Sequence, residues 1–430
     1  MDRLIIENFK SIKRIEMECK RVNVLIGGPN TGKSNILEAL GLVCALQTYK
    51  SINMFVRYRD ISDIFYFKEE RPIRVTIDGM KLEFYSESEY YADEGLIQRF
   101  TVDIPVGSHN AASNPAYSSV GDWEKMLSDA CFKPAVLNVP AGSTVTFVNR
   151  DSEVHAIAFA SNPLNTATWR LKDPALDSGP IQPNGRWSVR LNEVGEHPYV
   201  CYIHPWQIGK IIISKDISNR TPNLRFYRFD IDALRYASMV PAGDYLDTPS
   251  GSNLNHIIRN NRGVRERIKD ILEYYGLRLL LTQHDILVVL KEKRIGDPTI
   301  IEDIIMVDIP YHMLSDGLQR IIFYTAAILS NKDAVIALEE PEAHVFPAFT
   351  KQIAEMIAHA TNKNQFFIST HNPYFLLTLA EKCSKDDINI LVTYMDESRS
   401  TCVRTLTYEK IQQLLEYDYD VFFNIDRLLE

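Results

Sequence analysis

The chain lacks paired cysteines: its six Cys, at positions 19, 44, 131, 201, 383 and 402, stand singly with no CxxC. That excludes a disulfide framework and a cysteine-only zinc ribbon. It lacks a long apolar run, since the longest stretches, such as 321–329, fall far short of the roughly 20 residues that a bilayer-spanning helix needs. No membrane partner is expected. It lacks positive charge: 47 Lys and Arg stand against 56 Asp and Glu, a net charge of −9, so no global field holds a polyanion and any nucleic-acid contact must be local. The opening residues Met1-Asp2-Arg3-Leu4-Ile5-Ile6-Glu7 put acids inside the apolar run and offer no small-residue cleavage site, which argues against a secretory signal and for a cytoplasmic location. No internal repeat or low-complexity tract is visible. What the chain has is size: 430 residues, 45% of them hydrophobic, enough for two or three buried cores.

Composition changes along it. Residues 111–215 hold all four Trp (123, 169, 187 and 206) and nine of the twenty Pro, and are neutral, with nine acids against nine bases. The whole charge deficit therefore belongs to the flanks. Turn formers cluster at 105–115 and 216–223 and read as linkers. Three segments follow: 1–108, an insert at 109–216, and 217–430, the first and last forming one domain.

In the flanks, strands alternate with helices. Strands are expected over 4–9, 22–26, 73–77, 82–85, 278–281, 286–290, 334–338 and 365–368. Helices are expected over 33–49, 254–275, 315–329, 346–360 and 373–382. That is an α/β P-loop NTPase pattern with a mostly parallel sheet. In the insert the periods are short, with Pro and Gly turns every eight to twelve residues, the pattern of an all-β Greek-key sandwich.

Gly27-Gly-Pro-Asn30-Thr-Gly32-Lys33-Ser34 fits GxxxxGK[ST] between an apolar strand and a helix. Its glycines permit a tight loop whose N–H groups face phosphate oxygens at a helix N-terminus. Lys33 would neutralise the β- and γ-phosphates and the Ser34 hydroxyl would ligate magnesium. The run 333–338 is a buried strand ending in Glu339-Glu340, where one acid can orient the metal and the next can activate water. Ser315-Asp316-Gly317 opens a helix whose hydroxyl and free N–H groups could hold a γ-phosphate presented by another subunit. The strand 365–368 delivers His371 at its carboxyl edge, where open α/β sheets bind ligands.

In this order these residues resemble the ABC-class ATPases of the RecF, SMC and OLD-like (overcoming lysogenisation defect) group, a kind of AAA-type P-loop domain, over about 320 residues on both sides of the insert. Leu4-Ile-Ile-Glu-Asn-Phe-Lys-Ser-Ile12 resembles that group's first strand. The resemblance implies an ATPase that forms a head-to-tail homodimer over two ATP molecules. Lys33 and Ser34 match Walker A, Glu339 the metal acid, Glu340 the catalytic base and His371 the switch histidine. Ser315 and Gly317 match the signature acting in trans. The first Walker B acid is Glu rather than Asp, the signature reads Ser-Asp-Gly rather than Ser-Gly-Gly, and no glutamine takes the Q-loop place, Gln47 being too early. No Toprim-like acidic cluster follows His371, so a built-in nuclease is not expected.

In the insert, Cys201, His204 and Gln207 are each three apart, and His155 stands 46 residues earlier, just after a strand. Two imidazoles and a thiolate with a weak axial ligand are the set of a type 1 (blue) copper electron-transfer site. Zinc could also occupy a Cys-His-His set. The neighbouring His197 reads as structural, and Cys131 has no ligand context. Phe132-Lys-Pro, Val139-Pro-Ala-Gly142-Ser-Thr-Val-Thr-Phe, Asn149-Arg-Asp and the Cys201 loop make the insert resemble the cupredoxins of the plastocyanin and amicyanin type, over about 90 residues. The resemblance implies His155, Cys201 and His204 as equatorial copper ligands, with Gln207 where most members have Met, as in stellacyanin. A lower reduction potential than at a Met site is then expected.

One combined reading is an ATPase whose cycle is biased by copper. The alternatives are an artificial or independent fusion carrying an electron-transfer module, and a metal-free docking sandwich. For DNA the local signal is Arg259, Arg262, Arg265, Arg267 and Lys269 around one helix, which also reads as a solvated face. No motif names the ATPase's client or a redox partner.

Overall fold

The protein is described by a computed structural model, which covers residues 1–48, 50–68, 71–86, 96–105, 132–133, 135–140, 143–159, 176–214, 222–231, 243–281, 288–295, 303–407, 409–411 and 422. These fold into two compact units. One comprises Met1–Glu69, Val75–Met80 and Thr221–Glu430, the other Glu70–Arg74 and Lys81–Arg220. Cys131 and most of both turn-rich linkers lie outside the described residues.

The first unit is built on strands whose residues are apolar on both faces, as buried parallel strands require. Asn223–Tyr227, Ala334–Glu339, Gln365–Ser369, Val22–Gly27 and Ile388–Met395 lie side by side in that order and run parallel, with Thr401–Thr405 antiparallel at the edge. Helix Lys33–Gln47 packs against the sheet, and Asp316–Ser330, Pro347–Ala358 and Pro373–Lys382 contribute Phe323, Ile353 and Leu379 to the same core as Val24 and Ile336. Register sets Ser369 beside both Leu25 and Glu339. The chain therefore leaves the strands at Gly27, Glu339 and Ser369 along one sheet edge.

Three elements differ from expectation. The helix expected over 254–275 is two helices, Leu254–Asn260 and Arg262–Tyr274. Asn261 breaks it: its backbone is extended (φ −96°, ψ 107°) and its side chain accepts the Val264 N–H, so it ends one helix and caps the next. Ile12–Glu18 is a strand antiparallel to Arg3–Phe9, buried only at Ile12, Ile15 and Met17, and its charged outer face masked it. Leu277–Leu280, Val288–Ile295 and Asp303–Pro310 form an antiparallel sheet.

In the second unit, Asp177–Ile181, His155–Phe159, Gly195–Cys201, Ile208–Ser214 and Val136–Pro140 form one sheet in that order. Leu96–Ile104, Ser143–Asn149 and Arg186–Leu191 form a second ladder. Alternate residues of both meet in one core, with Val145, Phe147 and Val189 from one layer and Phe159, Tyr199 and Ile211 from the other. The edges of Phe132 and Phe147 approach Tyr199 at 5.0 and 4.9 Å between ring centroids. Leu96–Ile104 lies upstream of the boundary expected at 108/109. It belongs here because it pairs in parallel from Arg99 beside Thr144 to Ile104 beside Asn149.

Candidate nucleotide site and candidate metal centre

The loop after Val22–Gly27 has the shape its glycines allow. Gly32 takes φ 95°, a left-handed backbone pressed against Thr401, where any Cβ would collide. Asn30 is also left-handed, at φ 57°. The Lys33 ammonium is folded back into the loop, donating to the carbonyls of Gly27 (2.9 Å) and Gly28 (2.7 Å). Burial pushes it down to about 8, opposed by Glu340. It rests where phosphate oxygens would compete for its protons.

The Ser34 hydroxyl, one residue on, is near enough to the Glu339 carboxylate to help hold it below its usual range. A hydroxyl and a carboxylate are the hard oxygen donors that magnesium takes, so the pair fits that ion. Glu339 is also held by two arginines: Arg57 Nη2 lies 2.8 Å from Oε1 and Arg228 Nε 2.5 Å from Oε2. Both guanidiniums also bond Glu38, at 2.7 and 2.8 Å, and the Lys10 ammonium reaches it too. Glu38 is fully buried. Burial works to raise the Glu339 carboxyl, but Arg228 and Arg57 outweigh it and hold it below the usual range. Reading the chain linearly missed Glu38, Arg57 and Arg228. Their one signal was a lone acid inside the apolar helix run 36–46.

Glu340 leaves the strand in a left-handed turn (φ 43°) with its N–H on the Ser369 carbonyl at 3.1 Å. Its Oε1 is 3.6 Å from His371 Nε2, and both side chains are about two-fifths exposed. Burial, then the charge of Lys33, push the His371 imidazole down. Lys33, Glu340 and His371 thus act on one another at the sheet edge. Ser315 is exposed and stands at the N-cap of Asp316–Ser330 with no side-chain capping bond. Gly317 lets this first turn approach the chain at His344, whose carbonyl would lie 2.7 Å from an added Cβ. Gln47 is structural, bonding Pro222 O and Leu224 N–H. The cationic run is partly spent internally: Arg262 pairs with Glu266, and Arg265 donates to the carbonyls of Ile258 and Arg259.

In the second unit, Cys201 ends a strand, His155 starts its neighbour, and the turn after Cys201 brings back His204 and Gln207. The Cys201 N–H bonds Gln207 O, closing that turn. Cys201 Sγ lies 3.7 Å from His155 Nδ1 and 3.6 Å from His204 Nδ1, and the two nitrogens are 3.3 Å apart. Donors about 2.0–2.3 Å from a shared ion in a trigonal plane sit about 3.5–3.7 Å from one another, so the trio fits a metal. Gln207 Oε1 lies 3.0 Å from His155 Nδ1. Burial raises the Cys201 thiol, eased by the Ala156 N–H donating to sulfur at 3.4 Å. Behind the site, buried Asp151 holds His155 Nε2 at 3.2 Å, which fixes the ring with Nδ1 toward the cluster. His197 bonds the Glu193 carbonyl, away from the centre.

A P-loop at the carboxyl edge of a parallel sheet defines the first unit as an ATPase-type fold, and the second is a cupredoxin-like sandwich. Residues 1–108 match the family described as AAA ATPase domain, and residues 306–377 match the AAA domain family described under AbiEii toxin, Type IV TA system. Over 111 residues, 26% of the chain and 76% of the relative, it is 31% identical to amicyanin of Paracoccus denitrificans. Over 93 residues, 22% of the chain and 72% of the relative, it is 29% identical to amicyanin-alpha of Methylorubrum extorquens. Across that segment the chain belongs to the amicyanin family. Among solved structures, an Smc head bound to the C-winged helix domain of ScpA aligns at 14% identity, covering 96% of this chain and 99% of that one, with TM-score 0.44. A purple cupredoxin from Nitrosopumilus maritimus aligns at 23% identity over 27% of this chain and 99% of its own, with TM-score 0.20. No helix among the described residues is long and apolar enough to cross a membrane.

Proposed function

We propose that the first unit binds ATP with magnesium and hydrolyses it as an ABC-class, OLD-like ATPase that dimerises on ATP. The observation that carries this reading is the convergence of Lys33, Glu340 and His371 at one sheet edge, with Ser34 against Glu339. The P-loop N–H groups and Lys33 hold the β- and γ-phosphates. Ser34 and Glu339 would hold magnesium, which would supply positive charge against the phosphate oxygens. Glu340 takes a proton from water as its oxygen attacks the γ-phosphorus, the bond to the bridging oxygen breaks, and ADP leaves. His371 donates to the transferring phosphoryl group. The exposed Ser315 hydroxyl and the N–H of Gly317 are the donors offered to a partner's γ-phosphate.

Glu340→Gln should retain ATP binding while kcat falls by about 10²- to 10⁴-fold, and Lys33→Ala should lose binding itself. ATP hydrolysis and binding of a fluorescent ATP analogue separate the two. Light scattering of Glu340→Gln should show a dimer with Mg·ATP and a monomer without, and Ser315→Arg should remain a monomer. Hydrolysis that survives both P-loop and Glu340 substitutions would end the proposal.

A second reading belongs to the second unit: His155, Cys201 and His204, with Gln207 beside them, would hold copper of type 1. Its support is the spacing of those donor atoms. Such an ion would supply one-electron transfer, its ligands being held in place by the strands and the turn that carry them. Stoichiometric Cu(II) should produce an intense visible thiolate-to-copper band that Cys201→Ala lacks, and Gln207→Met should raise the reduction potential. A colourless complex would end this reading.

A further inference from the structure

Behind Glu340 and His371 lies a third acid, Glu342, that neither reading uses. It is 5% exposed, more deeply buried than Glu340 two residues before it. Its Oε1 accepts from the Thr370 hydroxyl at 2.5 Å and the His371 N–H at 3.4 Å, while Oε2 is buried without a hydrogen-bond partner. The same Thr370 oxygen accepts the Asn372 N–H at 3.0 Å, and Asn372 in turn caps Pro373–Lys382 through the Phe375 N–H. His371 is thus bracketed by two residues whose positions are set through one carboxyl group. On the other side, Glu342 sits in the turn that carries Glu340, where the Ala343 N–H bonds the Glu340 carbonyl at 3.0 Å.

A carboxyl group is costly to bury and contributes nothing to a core that a Leu would not pack better. Its retention between two chain segments has a geometric consequence. The turn after Ala334–Glu339 and the turn after Gln365–Ser369 are joined near their tips by this side chain, beyond the last main-chain bond at Glu340 N–H. We infer that Glu342 is a positioning residue, which sets His371 at working distance from Glu340 by holding the Thr370 hydroxyl and the His371 N–H. This rests on the ATPase reading of Glu340 and His371. Burial pushes the carboxyl up to about 7 against the hydrogen bonds from Thr370 and the backbone, and the charge of Glu340 beside it adds to the rise. A neutral group with one acceptor oxygen is what the two donors require, and Gln supplies the same.

The test uses the full chain with Glu342→Ala, Glu342→Gln, Thr370→Val and the Ala/Val pair. Measured for each are kcat and KM for Mg·ATP, affinity for a fluorescent ATP analogue, and thermal unfolding. Glu342→Ala should lower kcat about tenfold to a hundredfold, with ATP affinity within about twofold of wild type. Glu342→Gln should restore kcat to within about threefold, Thr370→Val should resemble Ala, and the pair should be no worse than either alone. The Gln and Val variants decide the matter if Ala fails to fold. A Gln variant as impaired as Ala, wild-type turnover in Ala and Val, or multiplying losses in the pair would overturn the positioning role. ATP binding indifferent to Lys33→Ala would overturn the ATPase reading itself, and this inference with it. Lys33-dependent hydrolysis that ignores Glu342 and Thr370 would overturn this inference alone.

Discussion

Single residues in the first unit place ionisable groups deep in the fold, at Glu38 and Glu342. Glu38 is tolerated with no exposure because three cations reach it, and removal of one partner from such a cluster leaves buried charge uncompensated. Glu342 is handled differently, with hydroxyl and amide donors and no cation, so its carboxyl is driven up to about 7 from an ordinary 4.5. The consequence for stability has a definite sign. Between about pH 4.5 and pH 7 the folded chain keeps a proton that the unfolded chain has released, so stability falls as pH rises through that window. The full effect is about 3 kcal/mol, complete above pH 7 and absent below pH 4.5. Denaturant unfolding of wild type between pH 5 and pH 8 should therefore show a decline that Glu342→Gln lacks. Parallel profiles would mean that the carboxyl ionises normally.

At the scale of elements, short polar side chains and glycines decide where segments end and how closely they approach. Asn261 divides what apolar periodicity reads as one helix, because its side chain competes for the Val264 N–H from an extended backbone. Asn261→Ala should cost about 1 kcal/mol by thermal unfolding, while Asn261→Asp should keep the cap; an unchanged melting temperature in the Ala variant would mean that packing of Val264 and Ile268 alone sets the helix start. Parallel registry does the corresponding work in the sheet. Ser369 beside Glu339 and beside Leu25 brings Lys33, Glu339, Glu340 and His371 to one edge although some 300 residues of sequence separate the first from the others. In the sandwich, a five-residue turn between Cys201 and Gln207 and one cross-strand pair, Cys201 beside Ile157, do the same for the metal donors.

For the whole molecule, the candidate residues of each site fall in one unit of the chain: the nucleotide residues lie in Met1–Glu69 and Thr221–Glu430, and the metal donors in Lys81–Arg220. Cys201→Ala, which should abolish the copper band, is accordingly expected to leave kcat for ATP within about twofold of wild type; a larger change on copper loading or on Cys201→Ala would mean that the metal centre acts on the ATPase. The sequence by itself determined the P-loop, the strand ending in Glu339-Glu340, the histidine after the next strand and the Cys-His-Gln spacing, since those motifs depend on local loop geometry and on contiguous residues. It also separated the two compositions, because a β-sandwich and a parallel α/β sheet bury different patterns. Only the tertiary structure brought Arg57, Arg228 and Glu38 onto Glu339, placed Glu342 behind His371, set Asp151 against His155 and drew Leu96–Ile104 into the sandwich. Those relations are long-range pairings of isolated charges or of a single strand. Hydrogen-bond registry and burial choose such partners, and no spacing along the chain encodes them.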